Sequence, residues 1–400
     1  MNEEPISRRS NVFFWFLGVL LMLFLFAASA PSPLYGIYAG LYGFSPTTVT
    51  AIYAVYAAGA LGALLITGRV SDHLGRRPVV TVALVIQVLG MLAFIRANGV
   101  GALYLGRILQ GIGTGIATGA LSAWLVDLEP RERPRLGSLV AGIALMTGLG
   151  AGALCSGLLV QYGPDPLRFV FWLLIGVYVV GAVVVLVCPE VIEPAPGWVR
   201  SLRPKIAVPP VARAQFVASA PTLIAIWALA GLYLALGPTL ATTLAGSSNR
   251  AVGGAVIFAL SGGGAVASAV VQKVDPRTLV VRGSLVVVAG VGITLLAVVA
   301  DSLAGLYTGS LIAGAGLGAG FSGVVRSLGP LARPQERGGL FAAIYIAVYL
   351  SFSLPTIIAG IATTHYGLRG TTYVYGVVVM ALAMVTYVAV SRRSRAAPAA

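Results

Sequence analysis

Gly68-Arg-Val-Ser-Asp72-His-Leu-Gly75-Arg76-Arg77-Pro78 is the densest charge cluster in the first half of an otherwise apolar chain. It lies between two long apolar runs, so it reads as a short polar turn between two membrane helices. Asp72 can accept hydrogen bonds or cap a helix N-terminus, where negative charge is favoured. Gly68 and Gly75 permit a tight turn and a close backbone approach. Arg76 and Arg77 place the turn on the cytoplasmic side under the positive-inside rule.

Working outward, the composition fits that reading. Of 400 residues, 58% are hydrophobic and 10% charged, against about 25% charged in a soluble domain. Apolar runs of spanning length recur throughout, which predicts an all-α polytopic membrane protein. A net charge of +14 would suggest nucleic acid in a soluble protein. Here the basic residues are scattered through short loops, so membrane orientation explains them and no nucleic-acid partner is expected. Cys155 and Cys188 lie on different helices without metal-type spacing, and they read as small buried apolar residues. Arg8, Arg9, the run Val12–Ala28 and Ala28-Ser29-Ala30 mimic a secretory signal. Pro31 would hinder cleavage there, so a retained first helix is expected.

Apolar segments fall at 12–34, 47–67, 79–95, 102–126, 137–160 and 169–188, then at 216–243, 251–271, 283–300, 304–328, 339–361 and 372–391. That makes twelve candidate spans. The proline- and arginine-rich stretch 189–213 reads as a cytoplasmic linker between a bundle at 1–188 and another at 214–400. With the N-terminus inside, Arg96, Arg168, Arg250 and Arg369 are outside and Arg107 is within a span. All the remaining lysines and arginines are then cytoplasmic, so both termini are expected there. The halves echo each other. Asp72 and Asp275 are 203 residues apart, as are the Gly-x4-Gly-x-Gly-x-Gly runs starting at Gly106 and Gly309. Pro130-Arg-Glu-Arg133 matches Pro334-Gln-Glu-Arg337 at 204, and Pro33 matches Pro238 at 205. Four ordered matches at nearly constant spacing indicate an internal duplication of six helices.

On the fourth span, Arg107, Gln110, Thr114 and Thr118 share one helix face. Gly111, Gly115 and Gly119 form a neighbouring small stripe that admits another helix. An arginine inside a span usually faces a bundle interior or a watery cavity; the alternative is that Arg107 snorkels to the surface. The outer half of the first span holds Ser29, Pro31, Ser32, Pro33, Tyr35 and Tyr38, whose prolines free backbone groups that are tolerated where they line a cavity. Tyr53, Tyr56, Trp227, Tyr233, Tyr345, Tyr349, Ser351 and Ser353 add amphipathic rings and hydroxyls suited to a moderately apolar ligand. An interfacial belt or ordinary packing accounts for any one of them equally well.

The two lysines, Lys205 and Lys273, do not follow glycine, so no phosphate-cradling loop is present and ATP hydrolysis is not expected. No paired carboxylates, nucleophile–base pair or His-Glu-x2-His arrangement is visible, so neither an enzyme, a cofactor nor a metal is expected. None of the twelve acidic residues lies mid-span, so a buried proton-carrying carboxylate is missing. Proton coupling would need Asp127 or Asp72 to act with Arg107 indirectly. Arg107 suits neutral or anionic substrates better than cations.

The spacing Gly68-x3-Asp72-x2-Gly75-Arg76-Arg77 resembles the loop joining the second and third helices of major facilitator superfamily transporters. Arg107-x2-Gln110-Gly111-x-Gly113 resembles a second motif of that family, whose arginine is associated with proton or substrate coupling. Gly148-x3-Gly152-Ala153-x2-Ser156-Gly157 is similar to the fifth-helix motif of its antiporters, departing at Ala153, where that motif has proline, and at Ser156, where it has glycine. The small residues still permit tight packing between helices of the two halves. The resemblance covers nearly the whole chain and is closest to bacterial drug/proton antiporter-like exporters. It implies two pseudo-symmetric six-helix bundles rocking about a midplane site. It also implies a cytoplasmic latch of Gly68, Asp72, Gly75, Arg76 and Arg77, weakened by Asp72→Asn. The expected function is proton-linked export of small amphipathic compounds by a monomer in the cell inner membrane. The alternatives are uptake or facilitated movement of a small metabolite, and a non-transporting receptor on the same fold.

Overall fold

The computed structural model describes residues 6–130, 132–133, 135–333 and 335–396. Arg131 and Pro334 of the Pro-x-Glu-Arg echo, and the two chain ends expected to be cytoplasmic, lie outside them. The side chains of Arg8 and Arg9 are also outside what is described. The spanning helices are α1 (Asn11–Tyr42), α2 (Pro46–Thr67), α3 (Arg76–Ile95), α4 (Val100–Asp127), α5 (Leu136–Tyr162) and α6 (Phe169–Val187). They continue as α7 (Pro210–Ala235), α8 (Arg250–Lys273), α9 (Pro276–Val299), α10 (Leu303–Leu331) and α11 (Arg337–Ser391). The 55 residues of α11 would reach roughly 80 Å at 1.5 Å each, over twice a bilayer core. Gly367, at φ 76° and ψ 166°, bends this run and divides it into two spans, so the protein is an all-α membrane protein of twelve spans.

Several boundaries differ from those read in the sequence, each for a local reason. α9 starts at Pro276 rather than 283, because Asp275 accepts from the Thr278 amide at 3.0 Å and proline suits a first helical position. Hydrogen bonds from Thr278 also hold the Asp275 carboxyl below the usual carboxylate range. The seventh segment is not one run. α7 ends at Ala235, and a short helix, Gly237–Leu244, follows. α1 is interrupted in the same way by a 3-10 turn at Ser32–Leu34. Pro33 and Pro238, matched in the sequence at an offset of 205, thus mark equivalent breaks in the two repeats.

The glycine runs give the duplication its clearest physical form. A Cβ on Gly111 would collide with the Tyr56 carbonyl oxygen of α2, and one on Gly115 with that of Ala60. In the second repeat, a Cβ on Gly314 would collide with the Leu260 carbonyl oxygen of α8, and one on Gly318 with that of Gly264. The same backbone-to-backbone approach is made twice, as small-residue packing between membrane helices requires. The glycines of α5 correct the sequence reading. Gly148 abuts Met22, Leu25 and Phe26, and Gly152 abuts Phe26 and Ser29, all of α1. Gly157 is buried. These contacts lie within the first half rather than between halves.

Two compact units result, one of residues 1–31 and 55–204 and the other of residues 32–54 and 205–400. Gly314→Leu should lower the unfolding midpoint in nanodiscs by several degrees, since overpacking costs about 1–3 kcal/mol. Gly62→Leu, where a Cβ meets nothing within 4 Å, should change it little; equal midpoints for the two variants would refute the packing role.

Candidate functional site

The α2–α3 turn is a closed hydrogen-bond network within the first unit. Arg76 is its centre, with a side chain only 7% exposed. Its Nη1 donates to Asp72 Oδ1 and Ser71 Oγ, both at 2.6 Å, and its Nε donates to Asp127 Oδ2 at 2.9 Å. A guanidinium this buried must be paired, and two carboxylates pair it. Asp72 does not cap a helix here. The cap on α3 comes from Glu190, whose Oε1 accepts from the Arg76 amide at 3.0 Å and whose Oε2 accepts from the Arg77 amide at 2.8 Å. A carboxylate on two first-turn amides satisfies orphan donors and opposes the helix dipole. Gly75 makes this possible: its φ is 95°, and a Cβ there would sit 2.7 Å from Glu190 Oε2. Gly68 keeps an ordinary φ, and its role is space, since a Cβ there would lie 2.7 Å from the Leu64 carbonyl oxygen. Arg77 donates from Nη2 to the Cys188 carbonyl. Burial pushes the Cys188 thiol up to about 11.

Glu190 was not among the residues singled out from the sequence. Its signal was there: an acid directly after Pro189, just past the end of α6. Asp127 belongs to this network and not to the surroundings of Arg107. The two are 20 positions apart on one helix, which is roughly 30 Å.

Arg107 is fully buried, at 0% exposure, so it does not snorkel. Its Nη1 donates to the Ala28 carbonyl at 2.7 Å and to Gln110 Oε1 at 2.6 Å. Its guanidinium carbon lies 5.2 Å from the centre of the Tyr56 ring, within cation–π range. Gln110 Nε2 donates to the Ala27 carbonyl at 2.7 Å. The cause is visible in the sequence. Ala27 would normally accept from the amide of residue 31, but Pro31 has none. Ser156 Oγ donates to the Ala30 carbonyl at 2.6 Å, which gives the departure from the glycine motif a use. The carbonyls of Ala27, Ala28 and Ala30 at the α1 break are therefore taken by side chains of α4 and α5 rather than left facing a cavity. Thr114 is buried and Thr118 half-buried on the same α4 face.

The remaining candidates do not gather at one point. In the second unit, Ser32 Oγ and the Tyr53 hydroxyl are hydrogen-bonded at 2.5 Å, and Tyr53 donates to the Leu234 carbonyl at 2.7 Å. Leu234 is four residues before Pro238, so this carbonyl too is freed by a proline. Tyr35 packs edge-on to Tyr53. Trp227 packs on Phe321, and the Tyr233 hydroxyl bonds Thr294 Oγ1 at 2.7 Å. Tyr345 and Tyr349 are half-buried on α11.

With the geometry established, comparison with known proteins is informative. A family model for the Major Facilitator Superfamily matches residues 16–354. The chain is 33% identical over 130 residues to a multidrug resistance protein MdtL of Klebsiella pneumoniae, covering 32% of each chain. It is 40% identical over 83 residues to an MdtL of Citrobacter koseri, 20% of this chain and 21% of that one. An MFS-type transporter of Aspergillus terreus is 32% identical over 107 residues, 26% of this chain and 19% of that one. The matches thus span a third or less of these relatives' lengths. The human organic anion transporter MFSD10 (TETRAN) has the same fold, with a TM-score of 0.67 at 18% identity over 96% of this chain and 100% of that one.

The network's exposures rank its two aspartates. Asp127 is 27% exposed and Asp72 is 53%. Asp127→Asn should destabilise the protein by up to about 3 kcal/mol, as when a mostly buried pair loses one partner. Asp72→Asn should cost about 1 kcal/mol or less. Denaturation of the two variants in nanodiscs checks the order, and a larger loss for Asp72→Asn would overturn it.

Proposed function

This chain belongs to the Major Facilitator Superfamily, and from that premise we propose a secondary active transporter that works by alternating access and exports small amphipathic compounds in exchange for protons. The observation carrying this reading is Arg107, a fully buried guanidinium held by neutral groups: a carbonyl, an amide and a ring. A buried charge inside a membrane span is costly, and such charges mark substrate and ion routes. The surrounding groups favour neutral or anionic substrates over cations. Its hydrogen bonds run to the backbone at the break in α1, so movement of that break and occupancy near Arg107 are coupled. The names of the MdtL relatives support export of drug-like compounds.

In this proposal the Arg76 network is the cytoplasmic latch, the stretch 189–213 joins two bundles, and the monomer sits in the cell inner membrane with both termini cytoplasmic. A second reading, uptake or facilitated movement of a small metabolite, is favoured by one observation: α5 carries Ala153 where the antiporter motif has proline, and it runs unbroken from Leu136 to Tyr162.

Flux of neutral and anionic amphipathic dyes in proteoliposomes under an imposed pH gradient separates these readings. Export by exchange predicts dye movement that reverses with the gradient and falls at least tenfold in Arg107→Gln. Movement indifferent to the gradient would support the second reading. No movement of any dye by the folded wild type would count against transport and favour a receptor.

A further inference from the structure

Within the second unit lies a cavity of about 420 Å³, formed where residues 32–54 meet α7, the short helix after it, and α8. Its volume is within the range of small-molecule sites. Ser32 and Tyr35, singled out from the sequence, line it, together with Phe44, Pro46 and Thr243. Arg250 is the one lining residue with a full charge, and no carboxylate is among those described. The position of Arg250 is built rather than incidental. It is the first residue of α8, a turn fixed by Asn249, whose Oδ1 accepts from the Ala251 amide at 2.9 Å. Its guanidinium crosses α1 at Gly36, where an added Cβ would sit only 3.0 Å from Nη1. A glycine at that point leaves room for the cation beside the cavity.

We propose that this cavity is a binding site for an organic monoanion with an aromatic or otherwise apolar body, its carboxylate or equivalent paired with Arg250. The argument is one of complementarity. Tyr35, Phe44 and the proline faces offer an apolar wall to a ring, and Arg250 offers a planar donor fork matched to a carboxylate. Thr242 and Thr243 donate to carbonyls of their own helix, at 3.1 Å and 2.8 Å. Arg250, the lining residue with a full charge, is the group that selects for charge. A neutral analogue of the same shape fills the wall without the pairing, and a cationic one meets a like charge. This site is distinct from the Arg107 cluster, shares no residue with it, and does not depend on the transport reading.

The test uses the full chain in nanodiscs, where both faces are accessible, and 2-naphthoate as probe. Naphthoate should bind and raise the unfolding midpoint. 2-Naphthamide should bind at least tenfold more weakly. Arg250→Gln should lose tenfold or more in naphthoate affinity, Arg250→Lys should recover part of it, and Gly36→Val should weaken binding by displacing the guanidinium while keeping the charge. Gly62→Leu, at a position that does not line the cavity, should leave naphthoate affinity unchanged. Should Arg250→Gln fail to fold, Thr243→Cys in a Cys155→Ser background gives an independent reading, since naphthoate should protect that thiol from maleimide and naphthamide should not. Equal affinity for acid and amide, unaltered affinity in Arg250→Gln, or no protection at Thr243→Cys would each overturn the proposal. Adding phosphatidylglycerol to the nanodiscs distinguishes two sources of the same anionic chemistry. Unchanged naphthoate affinity assigns the site to a soluble anion, and competition assigns it to a lipid phosphate.

Discussion

A backbone carbonyl inside a bilayer has no water to turn to, and much of this protein follows from that. Proline removes the amide that would meet the carbonyl four residues earlier. In α1, Pro31 frees Ala27, and Gln110 answers it; Arg107 and Ser156 serve Ala28 and Ala30. At the end of α7, Pro238 frees Leu234, and the Tyr53 hydroxyl answers it. Arg107, Gln110 and Tyr53 are thus tied to the broken helices. Arg107 is both a structural partner of the α1 break and the buried charge on which the transport reading stands.

The two repeats have kept one interaction and diverged in another. The glycine contacts of α4 on α2 recur as those of α10 on α8, since bulk at any of these positions would strike backbone rather than a yielding side chain. The charged turn did not survive duplication in the same form. Asp72 pairs with an arginine that also binds Asp127, whereas Asp275, its counterpart, caps the helix that follows it. Leu279 stands at the position equivalent to Arg76. One repeat thus carries a network joining the α2–α3 turn, α3, α4 and the segment after α6, and the other a local cap.

Burial explains how a short polar loop can be a rigid feature. The Arg76 side chain is enclosed, two aspartates share it, and Glu190 holds the amides behind it. Such an arrangement is cooperative, because losing one partner leaves the remaining charges desolvated without compensation.

The helical class, the twelve spans, the repeat and the small-residue faces were determined by sequence alone, because hydropathy and a constant offset are properties of the chain. The polar face of α4 was legible too, since 3.6-residue periodicity puts Arg107, Gln110 and Thr114 together. Periodicity says which residues share a face and nothing about the neighbour that meets it. Only the tertiary structure gave Arg107 its carbonyl partners, turned the α5 glycines toward α1, moved Asp127 to Arg76 and brought Glu190 back across the chain to α3. Each of these joins residues between 51 and 126 positions apart, and such pairings are set by helix packing, which no local pattern encodes.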